Sequence, residues 1–271
     1  MIVISQNLVL APAGEPLNTP VFGWRSMATA VAATTEAEGF PADNVLNPST
    51  VLRWRAASPP QTEYLTFTIE DVGEQDYVAI AGHNLGSAEI TVSIEGATQE
   101  VGSDLDWQEI VEEVVLPDDG PTIFRFPPSS YSHIRLKMQP GKEAPTIAVV
   151  YVGKLLVCER GTGSDHVPIN FGRVSNIVNG QSESGAFLGR IILSEKRQTS
   201  LSLQHIRASW YRQHMDRFIA ASMEAPFFVA WRPQDFQRDV GYCWMTNQPQ
   251  PTVSFETGRI SINLQMAGVA V

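Results

Sequence analysis

Short apolar and polar alternations, separated by glycine and proline, fill the first 157 residues. Residues 64–69 (Tyr-Leu-Thr-Phe-Thr-Ile) alternate with period two, the pattern of a strand with one face in a core. Residues 77–81 (Tyr-Val-Ala-Ile-Ala) are continuously apolar and read as a buried central strand. Residues 89–95 set Ile90, Val92 and Ile94 against Thr91, Ser93 and Glu95. Further strands are expected at 107–116, 122–126, 131–138 and 146–152, and a weaker one at 1–10. About eight short strands with turn signals and no amphipathic helix predict a β-sandwich or jelly roll. The missing strand-to-helix alternation argues against a parallel α/β sheet.

The pattern changes after a glycine-punctuated stretch near 157–163. Strands are expected at 186–194 and 198–204, then a helix over 205–222, where Ile206, Trp210, His214 and Phe218 recur every four residues. Pro226 ends that helix, and Phe227-Phe228-Val229-Ala230-Trp231 follows as an apolar strand. Strands at 241–245 and 259–266 complete a small β domain with one packed α-helix. The fold expected is therefore mainly β. A jelly-roll sandwich over 1–157, whose strand 1–10 is free to join the second domain, precedes a β domain over 158–271.

Charge divides the chain at the same place. Up to Val157 there are 20 acidic and 8 basic residues, net −12; from Cys158 there are 9 acidic and 11 basic, net +2. An acidic first half argues against nucleic-acid specificity. Lys196 is the only lysine of the second half, which otherwise carries arginine, the cation favoured at protein interfaces. No apolar run is long enough for a membrane span, and the N-terminus lacks the pattern of a secretory signal, so synthesis in the cytoplasm is expected. Cys158 and Cys243 lie in strand-like runs, where a buried free thiol is the ordinary state.

Catalytic chemistry finds little foothold. The five histidines lack zinc-ligand spacing. The run Gly180-Gln181-Ser182-Glu183-Ser184-Gly185 lacks the glycine that a serine elbow needs at position 184. No phosphate loop occurs, and nothing selects a working pair among Glu70-Asp71, Glu112-Glu113 and Asp118-Asp119. The chain is read as no enzyme, with no catalytic residue, cofactor or metal assigned. Asp43-Asn44 and Asp118-Asp119-Gly120 do offer oxygen atoms that could pin a loop through one calcium ion.

Two stretches resemble known families. Residues 40–50 with Leu52-Arg53-Trp54-Arg55 resemble the opening of discoidin-like (galactose-binding-like) jelly rolls, in which an A…N-L-L…W stretch precedes a strand like that at 64–69. The resemblance spans about residues 25–157, without the cysteine pair of secreted members. In the second half, Phe187-Leu188-Gly189-Arg190, Met215-Asp216-Arg217-Phe218, residues 226–233 and Val240-Gly241-Tyr242-Cys243-Trp244 are similar to minor tail or distal-tail proteins of long-tailed phages and prophages. That likeness implies a virion tail subunit assembled in the host cytoplasm. It implies a symmetric ring (trimer or hexamer) around the end of the tail tube, touching other tail proteins and carrying an outward module.

Two sets of contact residues follow. Arg53, Trp54 and Arg55 suit a glycan or interface contact, against the simpler reading that Trp54 plugs the base of the sandwich. Phe228, with Arg232 and Trp244, suits a subunit interface, because alternation sends Phe228 to the face away from the helix. The simpler reading is that the first domain or residues 2–4 fold over that face. The competing function is a carbohydrate-binding module for a cell-surface glycan, such as a host glycan.

Overall fold

The structure is a computed structural model that describes residues 1–8, 18–57, 61–70, 73–98, 105–163 and 166–269. Most of the expected loop 11–20, Asp71 and Ser164 lie outside them. The protein is mainly β, with 48% strand and one helix of 15 residues.

Three sheets and the helix stack in four layers. The outermost sheet runs β3 (Ala28–Ala33), β5 (Glu63–Ile69), β10 (His133–Met138), β7 (Thr91–Ala97), β8 (Gln108–Val115). Next comes β1 (Ile2–Ile4), β9 (Thr122–Ser129), β6 (Gln75–Ala81), β12 (Val149–Gly153). A small pair, β4 (Trp54–Arg55) with β11 (Thr146–Ile147), flanks them. The third large sheet follows the path β13 (Leu156–Val157), β2 (Val21–Gly23), β16 (Phe227–Ala230), β17 (Val240–Met245), β19 (Ile260–Val269), β15 (Phe187–Ile206), β14 (Arg173–Gln181), with β18 (Thr252–Val253) added beside β19. The helix is Ala208–Trp210 and Asp216–Ser222 joined by a π turn at Tyr211–Met215.

The first two sheets enclose the sandwich core. Leu65, Phe67, Ile94 and Leu136 of the outer sheet meet Val78, Ile80, Phe124 and Val150 of the inner one. Strand β6 is buried at every residue because its other face is covered too. Tyr77, Ala79, Val149 and Tyr151 pack on Val21, Phe228, Ala230 and Tyr242 of the third sheet. Such double burial is why residues 77–81 read as an unbroken apolar run. Close approach needs Gly23, where a side chain's Cβ would lie 2.7 Å from the Tyr77 ring. The far face of the third sheet packs under the helix, with Phe218 4.6 Å from Phe22 and 5.0 Å from Phe227 between ring centres.

Chain order and sheet membership therefore part company. Residues 2–4 stay with the sandwich, parallel to β9, and do not join the second domain. Residues 21–23 and 156–157, inside the stretch expected to be sandwich, belong to the third sheet. Strands expected separately at 186–194 and 198–204 are one strand, β15, of 20 residues.

Candidate binding and assembly surfaces

Trp54 is 0% exposed, and its indole N–H donates to the Thr35 carbonyl at 3.0 Å. It plugs the sandwich base and presents no stacking face, which corrects its assignment as a contact residue. Arg53 and Arg55 are exposed, so that edge retains two cations without the aromatic. The two candidate calcium loops direct their oxygens and amides at protein groups. Asp118 accepts from Gly120 N at 3.1 Å and pairs with Arg238, Asp119 accepts from Ser87 N at 2.8 Å, and Asn44 donates to Arg53 O. Among the described residues no cluster of three or more His, Cys, Asp or Glu could hold a metal ion, and no helix is long and apolar enough to cross a membrane. Both cysteines are free and buried.

The proposed subunit-interface residues also separate. Phe228 is 0% exposed, its ring 5.5 Å from Tyr151 and 4.8 Å from Tyr242, so the sandwich itself covers the face left open by the sequence reading. Arg232 is engaged locally, paired with Asp235 and 5.7 Å from the centre of the Trp231 ring. Trp244 remains 41% exposed.

A larger apolar surface lies on β14 and the first half of β15. From Arg197 onward β15 pairs with β19, but residues 187–196 pair only with β14. They form a two-stranded ribbon extending past the sheet. Its tip turns at Ser182–Ala186, with Gly185 at φ +82 and the Ser182 hydroxyl accepting from Ala186 N. Ile177 faces Ile192 and Val178 faces Ile191 in the register, so successive cross-strand pairs put apolar side chains on opposite faces. Phe187 and Leu188 are 65% and 69% exposed, and Ile191, Ile192 and Leu193 are exposed as well. An isolated two-stranded ribbon is marginal in water, and this one buries neither face. At the other end of the β15–β19 pair, β18 carries exposed Val253, and the turn after it carries fully exposed Phe255.

A second site lies where sandwich and helix meet. A cleft of about 580 Å³ is bounded by Trp24 before β3, by Glu74 and Asp76 at the start of β6, by Arg125 on β9, and by the β12–β13 turn with Lys154. The helix contributes Trp210, Gln213, His214 and Arg217. Asp76 is buried, accepts from Leu155 N at 2.7 Å, and has its pKa raised to about 6, chiefly by desolvation and against the pull of that hydrogen bond and of Arg125. Lys154 pairs with Glu74 at 2.5 Å. The sequence reading missed this site because its lining comes from six separated segments, and only the Trp210–His214 spacing along one helix was legible.

No family model and no curated protein sequence matches this chain. Solved structures align with about half its length. A pectin-binding carbohydrate-binding module is 15% identical with a TM-score of 0.40, over 47% of this chain and 91% of that one. Chitosan-binding module 1 of a chitosanase/glucanase from Paenibacillus sp. IK-5 is 13% identical at 0.41, over 47% and 96%. A CBM32 module from Clostridium perfringens, in complex with GalNAc-β-1,3-galactose, is 12% identical at 0.39, over 46% and 94%. The sandwich in this protein is identified from its own strand order and core.

Proposed function

We propose that this chain is a structural assembly subunit without catalytic activity, of the kind that forms a symmetric ring at the tail tip of a long-tailed phage. The observation that carries the reading is the β14–β15 ribbon. Its eight large apolar side chains leave on the order of 800 Å² of surface in water, the share one partner contributes to a standard protein interface. That area is divided between the two faces of the ribbon, and neither face is covered among the described residues. The Val253–Phe255 hairpin gives a second, different apolar element at the opposite end of the β15–β19 pair. Two unlike surfaces at opposite ends suit a head-to-tail contact, which closes into a ring when the rotation allows.

The test is light scattering on the full chain over a range of concentrations, beside a variant carrying Leu188→Ser, Ile191→Ser and Leu193→Ser. Wild type should exceed the 29.8 kDa monomer mass and the variant should not, with a melting temperature that matches wild type diluted to the monomer. A wild type that stays monomeric and captures no other tail protein would end this reading.

A second reading, a glycan-binding module, is supported by the cleft, where two half-buried indoles stand among charged side chains. Aromatic faces beside polar forks suit sugar rings, and this site supplies the aromatic that Trp54 does not.

A further inference from the structure

The charge inside the cleft departs from that of the module around it. Three cations, Arg125, Lys154 and Arg217, line it against two carboxylates, Glu74 and Asp76. Lys154 is held by Glu74, and Arg125 lies close enough to Asp76 to act on its charge. Arg217 makes no ion pair or hydrogen bond among the described residues, and it is exposed at the helix end of the site. A chain of net charge −10, whose sandwich stretch carries −12, therefore has an excess of one cation inside this cleft.

Each indole packs against a neighbouring ring. Trp24 meets the Phe218 ring edge-on at 6.3 Å, and Trp210 lies 5.5 Å from the His214 ring one turn along the helix. Each stays half-buried, with surface left in the cleft. The volume falls within the ~300–1,000 Å³ of small-ligand sites. Aromatic faces suit the apolar side of a sugar ring, and a guanidinium fork without a partner suits a carboxylate, which it binds through two parallel N–H bonds. A purely apolar ligand would leave Arg217 and Gln213 unused, and a simple anion would leave the indoles unused.

We propose that this cleft binds a short oligosaccharide bearing carboxylate groups, with sugar rings on Trp24 and Trp210 and a carboxylate on Arg217. The inference rests on the glycan reading of the cleft and adds the class of glycan; it is independent of the assembly role of the ribbon.

Calorimetric titration of the full chain tests it, using the galacturonate trimer and sialyllactose, each beside its neutral counterpart (the galactose trimer of the same linkage, and lactose). At least one acidic sugar should bind with a Kd of about 1 mM or tighter, at least ~10-fold more tightly than its counterpart. Trp210→Ala and Arg217→Gln should each weaken it ~10-fold or more, Arg217→Gln without changing the melting temperature. Equal binding of neutral and acidic sugars, lost in Trp210→Ala, would keep the glycan reading and overturn the acidic class. Binding unaffected by either variant, or no binding of any of the four, would overturn both.

Discussion

His83 and Asp76 are buried groups whose pKa values move in opposite directions, each towards the neutral form, because burial penalises the charge of both. The His83 ring donates from Nε2 to the Gly120 carbonyl at 2.9 Å while Nδ1 accepts from Leu85 N, so both nitrogens are committed in the neutral form. Burial lowers its pKa to about 4. Its folded value lies below the unfolded one near 6.5, so the stability it permits is present above pH 6.5 and lost as pH falls towards 4. Asp76 has a folded value of about 6 against 3.8, so its contribution is present below pH 3.8 and lost as pH rises through 6. Each amounts to about 3 kcal/mol over its window, and across pH 4–6 they oppose. Urea unfolding of wild type, His83→Gln and Asp76→Asn at pH 4.5 and 6.5 should separate them. Acidification should cost His83→Gln less stability than wild type, and Asp76→Asn more. Parallel pH dependences in all three proteins would refute this assignment. At this scale sequence spoke for Trp54: in a strand, neighbours at i±1 point to opposite faces, so Trp54 and its flanking arginines could not share one surface. It could not speak for Asp76, whose burial depends on the Leu155 amide arriving from a distant turn.

Among elements, β16 and the ribbon invert the expected division between core and interface. Alternation along residues 227–230 was legible: Phe227 and Val229 pack in the core under the helix, Phe228 and Ala230 on the other side. What covers the second face was not, because a partner subunit and the protein's own sandwich make the same demand on β16. The ribbon was hidden for a related reason. Glu195-Lys196-Arg197 reads as a break between two strands, yet it is where one strand leaves a covered sheet for a two-stranded extension. Stability measurements should rank the two elements. Phe228→Ala removes a fully buried ring and should cost about 3–5 kcal/mol. Ile191→Ser with Leu193→Ser touches exposed side chains and should move the monomer's stability by about 0.5 kcal/mol or less. Chemical unfolding at a concentration where the protein is monomeric checks both. A ribbon variant as damaged as Phe228→Ala would mean that these side chains are buried within the fold.

For the whole molecule, composition and connectivity point in different directions. The charge break near residue 157 and the change from short strands to a helix suggest two modules that unfold separately. The sheets do not respect that boundary. Residues 21–23 form β2 between β13 and β16 in the third sheet, after β1 has joined the sandwich, so unfolding either part disturbs the other. The layer between the sandwich and the third sheet is a core in its own right, with Ile2, Tyr77, Tyr151, Phe228 and Tyr242 all buried in it. Two hydroxyls tie it across the chain: Tyr151 donates to the Pro226 carbonyl at 3.1 Å and Tyr242 to the Pro48 carbonyl at 2.7 Å. Separating the parts would leave strand β6, buried on both faces, with one face in water. Calorimetry should therefore give a single transition with matching calorimetric and van't Hoff enthalpies. Phe228→Ala should lower the midpoint of that whole transition, since the ring serves both parts. Two peaks in wild type, or a variant in which only one of two transitions moves, would show that the shared layer is too weak to couple them and that the charge break marks an energetic boundary after all.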